Sequence, residues 1–290
     1  MSRSSREAIA KAALVEAGGG QLSWKSEQAL ASAFDLVPRD LEAVALEAGI
    51  RLERYARNYR TIDVEGQLRL HRSRVVVAGC GGLGGYIVEE LARLGVGNIV
   101  VIDPDLFEPS NLNRQLFSSI GDLGLPKVEA AQARVRAINP AVIVEAQALR
   151  LTSANAEGLL AGANSAEGAN SAEGAQCVAD ALDSIPDRLM LEKACAAVGI
   201  PLVHAAIAGP YVQATTILPG TGSLARLFGT DSPSKGIETE LGNPAYTPAI
   251  AASIEVSEIV RILLGKAPAL AGILFHLDLG RMEAVRLPLD

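Results

Sequence analysis

The chain has 290 residues, of which 49% are apolar and 20% are charged, and its formal net charge at pH 7 is −7. This length suits one main α/β domain with an appendage, because a single hydrophobic core stops growing near ~250 to 300 residues. The net negative charge argues against a basic surface that would bind nucleic acid. The chain also has no apolar run long enough to cross a membrane. We therefore expect a cytoplasmic protein that binds neither nucleic acid nor membrane.

The first 50 residues predict a small helical appendage. Apolar residues recur at helical spacing around Ile9, Leu30 and Val44, and the three stretches are separated by a glycine triplet and by Pro38. Because this segment lacks a basic face, we expect it to pack or to make a subunit contact rather than to bind DNA. Residues 51–290 then form the main domain.

From Val75 onward, short β-branched runs alternate with helical stretches. Such alternation is typical of βαβ units, so the sequence predicts a Rossmann-like, doubly wound α/β fold with a mainly parallel sheet. An amphipathic helix over 249–265 is followed by two apolar segments within 273–287. These last segments predict antiparallel strands at the C-terminal end of the sheet.

Two stretches interrupt the alternation. The first, at about residues 154–175, contains GANSAE twice in tandem, and its small polar residues predict a low-complexity surface insert without chemistry. The second, at about residues 219–247, is rich in Gly, Pro, Ser and Thr. Its length is more typical of a lid or a binding loop than of a simple connection.

The three cysteines, Cys80, Cys177 and Cys195, are scattered along the chain and form no C-x-x-C pair. This spacing argues against a disulfide framework and against a four-cysteine zinc site. We therefore expect buried, reduced thiols and no zinc.

A glycine-rich turn follows the first strand of the main domain. Gly79, Gly81 and Gly84 fit the pattern G-x-G-x-x-G between a strand and a helix, where backbone N–H groups can approach phosphate closely. Asp103 ends the next strand, where a carboxylate can accept hydrogen bonds from a ribose. On these features alone, an NAD(P)-dependent oxidoreductase is the leading interpretation.

The residues downstream of Asp103 favour ATP instead. Asn111, Arg114, Gln115 and Lys127 follow in the segment that leads to the next helix. A site that expels pyrophosphate needs fixed cations to stabilise the developing charge, whereas a dehydrogenase binds pyrophosphate mainly with loop amides. Arg114 and Lys127 are the candidate cations.

As a set, these motifs closely resemble the HesA/MoeB/ThiF family of ubiquitin-activating-type adenylyltransferases. The resemblance lies in RVVVAGCGGLGGYIVEELARLGVGNIVVIDPDLFEPSNLNRQLF and in GLPKVEAAQARVRAINP. It covers roughly residues 50 to 280 and leaves out the N-terminal helices and the GANSAE insert.

The resemblance implies roles for the positions that match the family's motifs. The implied nucleotide-binding residues are Gly79, Gly81, Gly82, Gly84, Asp103, Asp105, Asn111, Arg114, Gln115 and Lys127. Asp183 in ADALDS matches the family's aspartate near Mg²⁺, and Arg57 in RYARN matches an arginine that reaches into the ATP site of the partner subunit. The implied catalytic residues are therefore Arg57, Arg114, Lys127 and Asp183, the implied cofactors are ATP and Mg²⁺, and the implied assembly is a homodimer.

The family's activity gives the expected function. The resemblance implies ATP-dependent adenylation of the C-terminal Gly-Gly carboxylate of a small ubiquitin-like sulfur-carrier protein, with release of pyrophosphate. Such activation serves molybdopterin, tungstopterin or thiamine biosynthesis, or a related sulfur transfer. Many relatives have C-x-x-C pairs for zinc and some have a later nucleophilic cysteine, but no cysteine follows Cys195 here.

Three alternatives remain open at this point. An NAD(P)-dependent oxidoreductase on the same turn predicts hydride transfer and indifference to Arg114 and Lys127. A tRNA-modifying relative would use the same adenylating residues and needs a basic surface, which this acidic chain does not obviously offer. A catalytically silent partner in a heterodimer would lose its ATP residues, and here they are retained.

Overall fold

The computed structural model describes residue 1 and residues 3–162, 174–229 and 236–289. All but the first residue of the tandem GANSAE repeat lies outside the described residues. The main domain is built around one eight-stranded sheet, and a second, two-stranded sheet lies in the N-terminal segment.

The strands of the large sheet are β3 (Arg74–Ala78), β4 (Asn98–Ile102), β5 (Ile143–Gln147), β6 (Cys177–Asp180), β7 (Leu202–Ala208), β8 (Tyr211–Ile217), β9 (Ile273–Asp278) and β10 (Glu283–Pro288). Their order across the sheet is β10-β9-β8-β7-β6-β3-β4-β5. Strands β5, β4, β3, β6 and β7 run parallel to one another. The pairs β7–β8, β8–β9 and β9–β10 are antiparallel. The mainly parallel α/β sheet with C-terminal antiparallel strands is therefore confirmed.

Helices cover both faces of this sheet. Those of the main domain are α4 (Val64–Arg72), α5 (Gly82–Leu94), α6 (Lys127–Ile138), α7 (Ala156–Leu160), α8 (Ile185–Val198), α9 (Ser223–Phe228), α10 (Glu238–Leu241) and α11 (Tyr246–Leu263). One core contains apolar side chains of α4, α5, α6 and α11, and a second contains those of α7, α8 and α9. Because both faces are covered, β3, β4 and β6 read as continuous apolar runs and are buried throughout.

The chain reverses its direction of travel across the sheet between β3 and β6. From β3 it continues outward to β4 and β5, and it then returns to place β6 on the other side of β3. In an open α/β sheet, such a reversal leaves a crevice at the carboxyl ends of the two strands, where ligands bind. Here the crevice lies beyond Ala78 and Asp180, which end β3 and β6.

The N-terminal segment has its own core. Its elements are α1 (Arg3–Ala17), β1 (Gln21–Leu22), α2 (Trp24–Ala33), α3 (Pro38–Glu47) and β2 (Arg51–Leu52), with β1 and β2 paired in parallel. The core of this segment also includes Tyr55, beyond the expected boundary near residue 50. The Tyr55 hydroxyl donates to Glu42 and accepts from the Asn139 amide at the end of α6, so the two parts of the chain are hydrogen-bonded together.

Part of the predicted insert belongs to the packed core. Residues 156–160 form α7, and the side chains of Leu159 and Leu160 are buried against the second core. Ala175 is also buried. The described ends of this segment are therefore structural, in contrast to the expected surface insert from about residue 154.

The segment expected as a lid or binding loop, at about 219–247, contains the short helices α9 and α10. Residues 230–235 within it lie outside the described residues. Within the described ranges, the structure has no helix whose length and apolarity would suit a membrane crossing.

Candidate functional site

A cavity of about 620 Å³ opens at the carboxyl ends of β3, β4 and β6. Most of the site residues predicted from the sequence line it together. They are Gly79, Gly81, Gly82, Asp103, Asp105, Arg114, Gln115, Lys127 and Asp183. Arg57, Gly84 and Asn111 do not contribute to the lining.

The glycine turn forms the floor of this cavity. Gly79 has a φ of +100°, and a Cβ on it would come within 2.5 Å of the Ala181 carbonyl oxygen. A Cβ on Gly84 would come within 2.0 Å of the Gly79 carbonyl oxygen, so Gly84 lets α5 pack directly on the turn. Gly81 and Gly82 leave the start of α5 open to the cavity, where backbone N–H groups can bind phosphate.

Asp103 is anchored to the glycine turn. One carboxylate oxygen accepts a hydrogen bond from the Cys80 backbone N–H at 2.6 Å, and the other accepts from the Asp105 N–H at 2.8 Å. Burial raises the pKa of Asp103 above its ordinary value. Since a carboxylate has about four acceptor positions, this side chain can still accept from a ribose hydroxyl in the cavity.

Lys127 begins α6 and is paired with Asp105. The ammonium nitrogen lies 2.9 Å from Asp105 Oδ2, and the side chains are 7% and 64% exposed respectively. A mainly buried cation is thus held at the cavity wall by an exposed carboxylate. An anionic ligand with more than one oxygen can take the place of that carboxylate.

Arg114 and Gln115 follow a short 3-10 turn, Pro109–Asn111. Asn111 stabilises this turn, because its side-chain oxygen accepts from the Glu108 N–H at 2.9 Å. The Arg114 guanidinium donates to the Ser110 carbonyl at 3.0 Å, within its own loop. Gln115 is buried, and its Oε1 has no hydrogen-bond partner among the described residues.

The turn of residues 181–183 brings Asp183 to the cavity, and Arg188 supports this turn. The Arg188 guanidinium donates twice to the Leu182 carbonyl, at 3.0 and 2.7 Å. Ser184 caps α8 immediately afterwards by accepting from the Asp187 N–H. Asp183 therefore lies on a short segment that is fixed at both ends.

Sequence reasoning missed two arginines that line the same cavity. Arg188 lies in the first turns of α8, and Arg150, which pairs with Asp187 at 3.2 Å, follows β5. Both arginines follow the carboxyl end of a parallel strand, where the crevice of such a sheet is expected. This position in the sequence is the signal that could have identified them.

Arg57 is exposed and lies outside the cavity lining of its own chain. The neighbouring Arg54 has a packing role instead. Its guanidinium lies 4.5 Å from the centre of the Trp24 ring and donates to the Ile138 carbonyl at 2.9 Å. The two arginines of RYARN therefore differ in environment, and Arg57 is the more exposed of the two.

Described residues on either side of 230–235 line the far side of the cavity. Phe228, Gly236, Ile237, Glu238, Leu241 and Asn243 contribute to the lining. Tyr211 and His276 also line it and stack with their ring centres 5.8 Å apart. The cavity thus extends beyond the glycine turn, over the antiparallel part of the sheet.

All three cysteines are buried and none forms a disulfide. Burial raises the pKa of Cys195 to about 12 and raises the pKa values of Cys80 and Cys177 further. The thiols are therefore protonated at neutral pH. Among the residues that the structure describes, no group of three or more His, Cys, Asp or Glu side chains could hold a metal ion.

Comparisons with known proteins show which enzymes this chain is similar to. Over 243 residues the chain is 37% identical to "SAMP-activating enzyme E1" of Haloferax volcanii, a match that covers 82% of this chain and 85% of that protein. Over 237 residues it is 36% identical to "Sulfur carrier protein adenylyltransferase" of Thermus thermophilus, with 78% and 83% covered. These names confirm the adenylyltransferase class that the motifs predicted.

A solved structure shares the fold. The crystal structure of E. coli MccB with ATP matches with a TM-score of 0.67 at 20% sequence identity, over 82% of this chain and 72% of that chain. In addition, residues 55–289 match the family model described as "ThiF family". The motif set, the fold and the extent of these matches agree, and the chain belongs to the ThiF family.

Proposed function

We propose that this protein uses ATP to adenylate the C-terminal carboxylate of a small ubiquitin-like sulfur-carrier protein and releases pyrophosphate. The observation on which the proposal depends is that the glycine turn, Asp103, Arg114, Lys127 and Asp183 line one cavity. The names of the two relatives, an E1 enzyme and a sulfur-carrier adenylyltransferase, support a protein carrier as the substrate.

The cavity suggests how the nucleotide is oriented. The amides at the start of α5 suit the phosphates, and Asp103 suits the ribose hydroxyls. The triphosphate then extends towards Lys127 and Arg114. On binding, Lys127 leaves its exposed partner Asp105 and contacts phosphate oxygens. Arg114 likewise leaves the Ser110 carbonyl of its own loop and contacts phosphate oxygens.

The chemistry that follows needs no general base. The carrier carboxylate is already ionised and attacks the α-phosphorus, so that a new P–O bond forms while the bond to the bridging oxygen of the β-phosphate breaks. The electron pair of that bond leaves with pyrophosphate. Catalysis therefore consists of positioning and of charge stabilisation by Lys127 and Arg114.

Asp183 fits a Mg²⁺ ion that is shared with the nucleotide. Its side chain lines the same cavity as the glycine turn and Lys127. Mg²⁺ is commonly bound by one or two carboxylates together with substrate phosphates. When bound, the ion supplies positive charge for the departing pyrophosphate, and Asp183 is the residue that would hold it.

We also propose a homodimer in which Arg57 serves the partner's cavity. Arg57 is exposed and lies outside the cavity of its own chain. The loop that contains Arg114 exposes several large apolar side chains, which a second copy would cover. They are Leu106, Leu112, Leu116, Ile120 and Leu125. A contact on this loop would bring a partner's side chains close to Arg114.

The segment 219–247 is proposed to cover the carrier's C-terminal tail. Its described residues line the cavity on the side away from the glycine turn. An extended Gly-Gly tail has no side chains and so needs little room beneath such a cover. The adenylated carrier would next accept sulfur, as in molybdopterin, tungstopterin or thiamine biosynthesis or a related sulfur transfer.

ATP–pyrophosphate exchange tests the proposed function. With a carrier that ends in Gly-Gly, wild type is expected to exchange label, and a carrier without this ending is expected to give none. Arg114→Ala and Lys127→Ala should each lower the rate by about 10²- to 10³-fold, because each removes a charge that stabilises the transition state. Arg136→Ala, an exposed arginine at the other end of α6, is the matched control and should keep the wild-type rate.

The exchange assay has two outcomes against the proposal. Absence of exchange with every Gly-Gly carrier would overturn the adenylation of a carrier protein. Normal exchange by Lys127→Ala would overturn the assignment of the triphosphate to this side of the cavity.

A further inference from the structure

Asp180 and His204 form a buried pair directly beneath the candidate site. They are register partners on the parallel strands β6 and β7, and both side chains are 0% exposed. His204 Nδ1 lies 2.7 Å from Asp180 Oδ2. Neither residue lines the cavity, and neither takes part in the reaction proposed above.

The second oxygen of Asp180 supports the turn that contains Asp183. Asp180 Oδ1 accepts a hydrogen bond from the Leu182 N–H at 3.1 Å. The Leu182 carbonyl in turn accepts both bonds from Arg188. One carboxylate therefore connects His204 below with a turn that holds Asp183 and Arg188 at the cavity.

The surroundings of His204 leave Asp180 as its polar partner. The His204 ring meets Phe228 edge to face at 5.7 Å, and burial lowers the pKa of His204. A neutral ring with its proton on Nδ1 donates to Asp180, and Nε2 has no hydrogen-bond partner among the described residues. Glu255 on α11 and Glu192 on α8 are the other acids near this pair. The Glu192 carboxylate accepts a hydrogen bond from the Leu224 N–H.

Stability alone is a weak reason to bury such a pair. A buried polar pair must offset the desolvation of both groups, and apolar residues of similar volume often stabilise a core equally well. A hydrogen-bonded residue behind a metal ligand orients that ligand, and losing it typically costs about 10- to 100-fold in metal affinity or activity.

We propose that Asp180 and His204 are positioning residues that fix the turn of residues 181–183, and with it Asp183 and Arg188, for binding of the metal–triphosphate. This inference rests on the proposed use of ATP. It predicts a selective defect, because Asp103, which is proposed to bind the ribose, is held by separate hydrogen bonds from the Cys80 and Asp105 N–H groups.

The test compares His204→Phe with His204→Asn. Phenylalanine keeps the ring but removes the donor, whereas asparagine can donate to Asp180 from the position of Nδ1. Calorimetric titration measures the affinity for AMP and the affinity for ATP with and without Mg²⁺, at a temperature where circular dichroism shows each variant to be folded.

In His204→Phe, we expect the gain in ATP affinity caused by Mg²⁺ to fall by about 10-fold or more, with AMP affinity unchanged. The Mg²⁺ concentration for half-maximal pyrophosphate exchange should rise in parallel. His204→Asn should restore both quantities. If His204→Phe does not fold, His204→Gln replaces it, since its amide lies too far along the side chain to donate from the Nδ1 position.

Two results would overturn the inference. If His204→Phe kept the same Mg²⁺-dependent gain in ATP affinity as wild type, the pair would only stabilise the fold. An equal loss of AMP and ATP affinity would show a general collapse of the cavity. Wild type that binds ATP with a Mg²⁺ gain but exchanges no pyrophosphate would overturn the carrier proposal alone.

Discussion

At the residue scale, the candidate site is a set of charges whose present partners can be exchanged. Lys127 is mainly buried but its partner Asp105 is 64% exposed, so water can solvate this carboxylate when the pair separates. Arg114 donates to a carbonyl of its own loop. A triphosphate carries several negative charges, so on binding Arg114 gains a charged acceptor in place of a neutral carbonyl and Lys127 gains a more highly charged one.

The buried thiols lead to a prediction about the fate of the activated carrier. Because Cys80, Cys177 and Cys195 are buried and protonated, we expect no thioester between the carrier and residues 1–290. Mass spectrometry under non-reducing conditions, after incubation with ATP, Mg²⁺ and carrier, should show the two chains unlinked. Alkylation with iodoacetamide, slow in the native protein and fast in urea, is the control for burial. An adduct that a free thiol releases would contradict this prediction.

Glu27 leads to a prediction about pH and stability. Burial, together with the negative charge of Glu42, raises the pKa of Glu27 from 4.5 to about 8. The folded chain therefore keeps a proton that the unfolded chain has released, and the free energy of unfolding falls as the pH rises from 4.5 to about 8. Glu27→Gln should be more stable than wild type at pH 8, by about 1 kcal/mol or more, with little difference near pH 4.5.

Urea unfolding at the two pH values measures this effect. Glu7→Gln is the matched control, because it removes the same charge from a side chain that is 68% exposed. It should leave the pH dependence of wild type intact. An equally steep decline in Glu27→Gln would show that this carboxyl is not the group responsible.

At the scale of elements, the start of α5 determines how closely phosphate can approach. The helix packs on the glycine turn through Gly84, and Gly79 lies against the backbone of residue 181, which also belongs to the Asp183 turn. The phosphate turn and the turn that holds Asp183 are therefore in direct contact. A side chain added at Gly79 would therefore press on the backbone of the Asp183 turn.

Gly84→Ala tests this contact. Its new Cβ would lie 2.0 Å from the Gly79 carbonyl oxygen, so the turn or the helix must shift. We expect ATP affinity to fall by at least about 10-fold and the free energy of unfolding to fall by about 1–3 kcal/mol. Gly121→Ala is the control, because its nearest neighbour would be Ser119 Oγ at 3.7 Å. Wild-type ATP affinity in Gly84→Ala would contradict the role given to the turn.

At the scale of the whole molecule, the proposed homodimer explains why Arg57 lies away from its own cavity. The packing of Arg54 against Trp24 and Ile138 fixes the N-terminal segment on the main domain, and Arg57 remains exposed beside it. The segment that follows the appendage thus presents Arg57 to another molecule, and the exposed apolar loop of residues 106–125 offers that molecule a surface.

Subunit mixing tests the shared site. Arg57→Ala and Lys127→Ala should each be nearly inactive in pyrophosphate exchange. When the two are unfolded and refolded together, about half of the dimers are mixed, and each mixed dimer contains one complete site, so activity should recover to about a quarter of wild type. Refolding each variant alone is the control. No recovery in a sample that sedimentation shows to be dimeric would contradict a site shared between subunits.

The sequence by itself determined the order of elements and the mainly parallel sheet, because these depend on local spacing. Gly79, Asp103, Arg114 and Lys127 follow strands in a fixed order, and the parallel sheet brings the ends of those strands to one edge. Their presence in one cavity agrees with that expectation.

Only the tertiary structure decided which neighbours these residues have. Lys127 meets Asp105, Asn111 stabilises its own loop, and Asp180 meets His204 across strands that are 24 positions apart in sequence. The pairing of Asp180 with His204 in particular depends on strand order and register, which the spacing of residues along one chain does not contain. The physical reason is that a strand's sequence specifies its buried faces, whereas the packing of the whole sheet selects its partner.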